Sequence, residues 1–170
     1  MDQKIVEIYG AAEIEGRLKA LADEISEGSR ADELTVLGVT DDGFVFLADL
    51  LRALSVPVRT ALLRYDHRAR GGAEDLTFST NIDLKGRDVL LVEGVLDTGV
   101  PQEYLMKQLE SQGARRVRLC VLIDKPDGRR TPVKPDWRAF ETHEDYLVGY
   151  GLGFQERWRE LPYIATFARG

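Results

Sequence analysis

Apolar residues along the chain follow two spacings. From Ala11 to Ser26, the residues Ile14, Leu18, Leu21, Ala22 and Ile25 fall on one stripe of an amphipathic helix. Gly28 stands just beyond it as a stop. Leu34–Val39, Val89–Val92 and Val117–Ile123 are short, largely apolar runs, the pattern of strands covered on both faces. Val58–Leu63 reads as a further strand. Phe44–Leu54 is apolar almost all round and long enough for a buried helix. Pro101–Gln112 carries Tyr104, Leu105 and Leu109 on one face, with Gly113 as its C-terminal cap. Thr40–Gly43 and Lys85–Asp88 read as polar turns, and Tyr65–Asn81 as a surface excursion. Beyond Asp124 the pattern predicts a loop, apolar segments at Trp137–Phe140 and Tyr146–Tyr150, a short helix near Phe154–Arg159 and a last strand at Tyr163–Phe167.

Strands alternating with helices predict an α/β fold, a mostly parallel twisted sheet flanked by helices. No repeat, low-complexity tract or linker divides the 170 residues, so one domain over 1–170 is expected. Ligands of such sheets bind outside the carboxyl ends of the strands. That rule selects Thr40–Gly43, Glu93–Pro101 and Asp124–Arg130.

Charge narrows the partners. The chain has 23 Lys and Arg against 29 Asp and Glu, a net charge of −6. It lacks the basic footprint that nucleic acid or an anionic membrane requires, so neither is expected as a partner. Its one cysteine, Cys120, excludes an intrachain disulfide and a multi-cysteine zinc site. The cytoplasm is the expected location, since no apolar run reaches the ~18–20 residues of a membrane span and the first residues lack a signal-peptide core.

The segment from Val89 to Pro101, VLLVEGVLDTGVP, is the richest in chemistry. An apolar strand runs into an acid, then Asp97-Thr98-Gly99, then a helix. Backbone N–H groups at the helix start and the Thr98 hydroxyl can cradle a phosphate, and Gly99 lets a ligand approach the backbone. The same residues also suit an ordinary strand–turn–helix joint with Asp97 or Thr98 as N-cap.

This segment resembles the phosphoribosyl-pyrophosphate motif of type I phosphoribosyltransferases. Ala22–Ser26, Gly43–Leu50, Asp83–Val89, Leu122–Pro126, Val133–Asp136, Val148–Leu152 and Leu161–Ile164 extend the resemblance over nearly the whole chain, to the hypoxanthine-guanine phosphoribosyltransferases. It implies the type I phosphoribosyltransferase fold, with a small hood from the N-terminal segment and the region after about residue 134. It implies purine salvage: a purine base is joined to ribose 5-phosphate and pyrophosphate is released, with magnesium on the sugar diphosphate. By the same resemblance Lys125 reads the 6-oxo group, Tyr146 stacks on the base and the backbone around Leu147 reads the ring edge. The resemblance also makes Asp97 the catalytic carboxylate beside purine N7, its general base or hydrogen-bond partner. Glu93 approaches the ribose hydroxyls and the metal, Thr98 and Gly99 belong to the phosphate cradle, and Arg159 lies near the pyrophosphate. Taken alone, Lys125, Tyr146 and Arg159 fit a loop lysine, a packed strand residue and a surface arginine.

Five departures from the family pattern fall where phosphate or metal binds. Gly94 replaces the second acid, Pro101 the last hydroxyl residue of the cradle, and Gly153 an aspartate that supports magnesium. Asp41 and Asp42 replace a Lys-Gly pair at the pyrophosphate. Each unit charge pair at ~4 Å and an effective dielectric of ~20 is worth up to about 4 kcal/mol. The excursion Tyr65–Asn81 is shorter than the family's catalytic loop and lacks its Ser-Tyr pair; it holds Asp66, His67, Arg68 and Arg70, with His67 read as a solvated loop histidine. The expectation is a protein that binds a 6-oxopurine base or purine nucleotide, binds phosphoribosyl pyrophosphate poorly and transfers weakly or not at all. Two alternatives stay open. One is an active enzyme in which Asp41 or Asp42 supplies a replacement metal ligand. The other is a non-catalytic regulatory subunit. The family implies a homodimer or homotetramer, and the subunit reading a hetero-oligomer with an active relative.

Overall fold

The computed structural model describes residues 4–29, 32–66, 75–78 and 82–168. Its elements run β1 (Ile5–Tyr9), α1 (Ala11–Gly28), β2 (Leu34–Val39), α2 (Thr40–Ala53), β3 (Val58–Asp66), β4 (Asp75–Phe78), β5 (Asp88–Leu96), α3 (Val100–Ser111), β6 (Arg116–Asp124), β7 (Trp137–Glu141) and β8 (Ile164–Phe167). The main sheet has the order β4-β3-β2-β5-β6-β7. Neighbours from β3 to β7 pair in parallel, and β4 pairs antiparallel with β3 at the edge.

Side chains alternate across each strand, and this divides the core. Leu90 and Val92 of β5, with Cys120 and Leu122 of β6, pack with Leu21 and Ile25 of α1 and Phe46 and Leu50 of α2. Val89 and Leu91, with Leu119 and Val121, pack with Leu105 and Leu109 of α3 on the other face. From β2 the chain crosses outward to β3, whereas from β5 it crosses the opposite way to β6. The topological switch therefore lies between β2 and β5, where a crevice opens at the carboxyl ends of the strands.

A second, antiparallel sheet pairs β1 with β8, and Val148 bridges to Ala165 beside it. This is the expected hood, with one adjustment: Trp137–Glu141 joins the main sheet as β7. Three other readings change. Thr40–Gly43 is the first turn of α2 and not a free turn; Asp41 and Asp42 suit a helix N-terminus, whose dipole favours negative charge. Phe154–Arg159 is a set of turns and not a helix, with Gln155, Glu156 and Trp158 in left-handed backbone at φ 49°, 64° and 68°. Within the excursion Tyr65–Asn81, β3 continues to Asp66 and β4 is an edge strand; His67, Arg68 and Arg70 lie outside the described residues.

Candidate active site

The three loops selected by the strand-end rule converge. Lys125 N–H donates to Leu96 O at 2.9 Å and Arg130 N–H to Thr98 O at 2.8 Å, so the loop after β6 lies along the loop after β5. Arg129 strengthens the joint. Its side chain, only 15% exposed, donates to Asp97 O at 2.8 Å and also bonds the Asp124 carboxylate and Val133 O. No signal in the sequence marked Arg129 for this task.

Lys125 Nζ donates to Asp145 O at 2.8 Å and stands 3.8 Å from Asp97 Oδ2. Lys125, Asp145, Tyr146 and Leu147 line one cavity of about 170 Å³, together with Asp42, Gly153 and Phe154. A larger cavity of about 630 Å³ lies between α1 and α2, lined by Ile14, Leu18, Asp49 and Tyr150, away from these loops. The smaller one carries the chemistry: it holds an ammonium, an exposed aromatic ring and a nearby carboxylate. Tyr146 is 57% exposed and meets Phe154 edge-on at 5.7 Å. Its carbonyl accepts from the Thr166 hydroxyl at 2.8 Å, which ties the loop to β8. His143 Nδ1 lies 2.7 Å from Asp127 Oδ2, a second link between the lysine loop and the tyrosine loop. That hydrogen bond, with the charge of Asp127, raises the His143 pKa above its usual range.

At the start of α3 the cradle geometry is partly present. Gly99 is the N-cap, in left-handed backbone at φ 78°, and Glu103 N–H donates to its carbonyl at 2.9 Å. Val100 N–H points to the Thr98 hydroxyl at 3.4 Å. Pro101 sits in the first turn and contributes no N–H.

The remaining acids are engaged. Glu93 is 3% exposed and accepts from Gln102 Nε2 at 2.6 Å, a partner the sequence did not suggest. Asp42 is ion-paired with Arg159 at 2.6 Å. Among the described residues no group of three His, Cys, Asp or Glu is arranged to hold a metal. The side chains present therefore do not compose the magnesium site implied by the resemblance: positions 94 and 153 are glycine, Glu93 is buried against Gln102 and Asp42 is occupied by Arg159. Cys120 is fully buried, and burial pushes its thiol pKa up, which removes it as a nucleophile. No described helix is long and apolar enough to cross a membrane.

Comparison with known proteins shows what the whole chain is similar to. The family model for the phosphoribosyl transferase domain matches residues 5–157. The hypoxanthine-guanine phosphoribosyltransferase of Lactococcus lactis is 33% identical over 158 residues, 91% of this chain and 86% of that protein. That of Mycobacterium avium is 31% identical over 166 residues, 92% and 82% of the two chains. Among solved structures, a hypoxanthine-guanine phosphoribosyltransferase from Bacillus anthracis superposes with a TM-score of 0.90 at 25% identity, covering 99% of this chain and 100% of that one. Trypanosoma cruzi hypoxanthine phosphoribosyl transferase, solved in connection with the role of its C-terminal region in oligomeric state and enzymatic activity, gives 0.90 at 27% identity, covering 99% and 93%.

Proposed function

The chain belongs to the hypoxanthine-guanine phosphoribosyltransferase family, and we propose that it binds a 6-oxopurine, hypoxanthine or guanine, or the matching nucleotide, between Lys125 and Tyr146. The observation that carries this reading is the convergence of Lys125, Tyr146 and Leu147 on one cavity. Its volume of about 170 Å³ is below the roughly 300 Å³ where drug-sized sites begin, in keeping with a single flat ring system. The Lys125 ammonium has three donors. One holds Asp145 O and one faces Asp97, which leaves one for a 6-oxo oxygen. The exposed Tyr146 ring offers a stacking face, and the Leu147 backbone offers polar groups to the ring edge. Asp97 accepts the N7 proton as N9 bonds to the ribose carbon and pyrophosphate leaves. Thr98 and Gly99 receive the 5′-phosphate, and Glu93 reaches the ribose after Gln102 releases it.

Transfer by this chain is proposed to be weak or absent. Pro101 removes a cradle donor, glycines stand at 94 and 153 where acids would hold ribose and metal, and the Arg159 guanidinium is occupied by Asp42. By family membership the protein is proposed to work in the cytoplasm as a homodimer or homotetramer. Calorimetric titration with guanine, hypoxanthine and adenine tests the pocket. Guanine and hypoxanthine are expected to bind and adenine, which has an amino group at position 6, to bind far more weakly. Equal binding of all three, or of none, contradicts the reading.

A further inference from the structure

Four of the positions that depart from the family pattern, 41, 42, 94 and 153, lie in one chain of contacts around Arg159. Arg159 Nη1 donates to Asp42 Oδ1 at 2.6 Å, to Gly151 O at 2.6 Å and to Asp41 O at 3.1 Å. The guanidinium lies directly against Gly153: a Cβ there would fall 2.8 Å from Arg159 Nε and 2.9 Å from Cζ. The backbone of Asp42 lies as closely on Gly94, where a Cβ would fall 2.9 Å from the Asp42 carbonyl carbon and oxygen. A side chain at 153 would displace the arginine, and one at 94 would press on the first turn of α2 at Asp42. The left-handed residues Gln155, Glu156 and Trp158 curl the chain so that Arg159 returns to Gly153. The glycines and the aspartate are thus parts of a single arrangement.

Resting on the purine-site reading above, we propose that the Asp42–Arg159 pair is a specificity-determining clasp that leaves the pocket open to a purine base or its nucleoside 5′-monophosphate and excludes a diphosphate. A guanidinium binds carboxylate and phosphate through the same donors. Asp42 acts as an internal stand-in for the anionic group of a ligand. A diphosphate reaching Arg159 must displace that carboxylate and then lie beside it. The two side chains are 35% and 48% exposed, so solvent screens their Coulomb attraction; exclusion comes from competition for the guanidinium donors as much as from charge.

The test is a calorimetric titration of inorganic pyrophosphate into the unmodified chain, Asp42→Asn and the double variant Asp42→Asn/Arg159→Gln. Asparagine keeps the shape and one acceptor while removing the charge. The clasp predicts that Asp42→Asn binds pyrophosphate roughly tenfold or more tightly than the unmodified chain, and that the gain disappears in the double variant. Equal affinity before and after Asp42→Asn, or a gain that survives loss of Arg159, overturns it. Should Asp42→Asn not fold, the Arg159 Nε–H resonance of the unmodified chain decides: it stays in place on addition of pyrophosphate if the clasp is closed, and its movement refutes the clasp. Guanine titrated into the unmodified chain reports separately on the purine pocket. A failed guanine titration with the pyrophosphate gain intact removes the purine reading and leaves the clasp.

Discussion

Replacing Lys125 by methionine keeps most of the aliphatic stem and removes the ammonium. In the folded protein the Lys125 side chain is 17% exposed, with its ammonium bonded to Asp145 O at 2.8 Å and 3.8 Å from Asp97 Oδ2. Lys125 lines the cavity, and its remaining donor is the one proposed for a 6-oxo oxygen. A hydrogen bond from a charged donor is worth about 1.5–3 kcal/mol, a loss of roughly ten- to a hundredfold in affinity. Asp97 is about half exposed, so losing its neighbour leaves a solvated carboxylate and adds little to the cost. Calorimetry with guanine, hypoxanthine and adenine reads the change. Guanine and hypoxanthine should weaken by the same factor, because they share the 6-oxo group, while adenine should not change. Unaltered guanine affinity refutes the assignment. An equal loss for all three purines refutes it as well, since it shows that Lys125 shapes the loop through Asp145 without reading the base.

Other substitutions probe the frame around the pocket. Arg129→Met breaks the pair with Asp124, whose side chains are 15% and 6% exposed. It should cost about 3 kcal/mol, at the low end of the range because Arg138 remains 3.5 Å from the other Asp124 oxygen; urea unfolding measures this, and guanine affinity should fall with it. His143 has its pKa raised above 6.5 by Asp127, so the pair stabilises the fold below pH 6.5 and loses that contribution as pH rises through the raised value. The urea midpoint of the unmodified chain should therefore exceed that of His143→Gln at about pH 6 and converge with it by about pH 8; a gap that widens with pH contradicts the assignment.

Much of the frame was legible because burial on both faces leaves a signature. Val89–Val92 and Val117–Ile123 are largely apolar since helices cover each side of the sheet, and the strand-end rule then located the crevice. Short-range pattern failed where distant contacts decide. Thr40–Gly43 has the composition of a turn, yet it opens α2, with Asp41 and Asp42 at the positive end of the helix dipole. Phe154–Arg159 has the spacing of a helix, yet its backbone turns repeatedly around the arginine that meets Asp42, 117 residues earlier. Ile5–Tyr9 is short, and its partner β8 lies at the other end of the chain, so no local pattern announced it.

In the site, spacing alone showed a possible phosphate cradle. The roles proposed for Lys125, Tyr146, Leu147 and Asp97 came only through family resemblance, because a lysine or tyrosine in a loop carries no signal of its own. Gln102 and Arg129 were missed for the opposite reason. Gln102 acts through Glu93, and Arg129 through Asp97, Asp124 and Val133; pairings of that kind are visible only once the chain is folded. The sequence also presented Asp42, Gly94 and Gly153 as separate losses, because the contacts of Asp42 and Gly153 with Arg159, and of Gly94 with Asp42, depend on the fold.

The proposed purine pocket with a weakened transfer site is tested most directly by steady-state nucleotide formation. Guanine and phosphoribosyl pyrophosphate at saturating magnesium are supplied to the unmodified chain, to the double variant Asp41→Lys/Asp42→Gly, and to a family member with both acids of the motif. Two lost contacts of about 2.7–4 kcal/mol each at the transferring group amount to a rate lower by roughly 10⁴ or more. The unmodified chain is predicted to fall short of the intact relative by that order, with the double variant recovering part of the deficit. Turnover by the unmodified chain equal to that of the relative would contradict the claim.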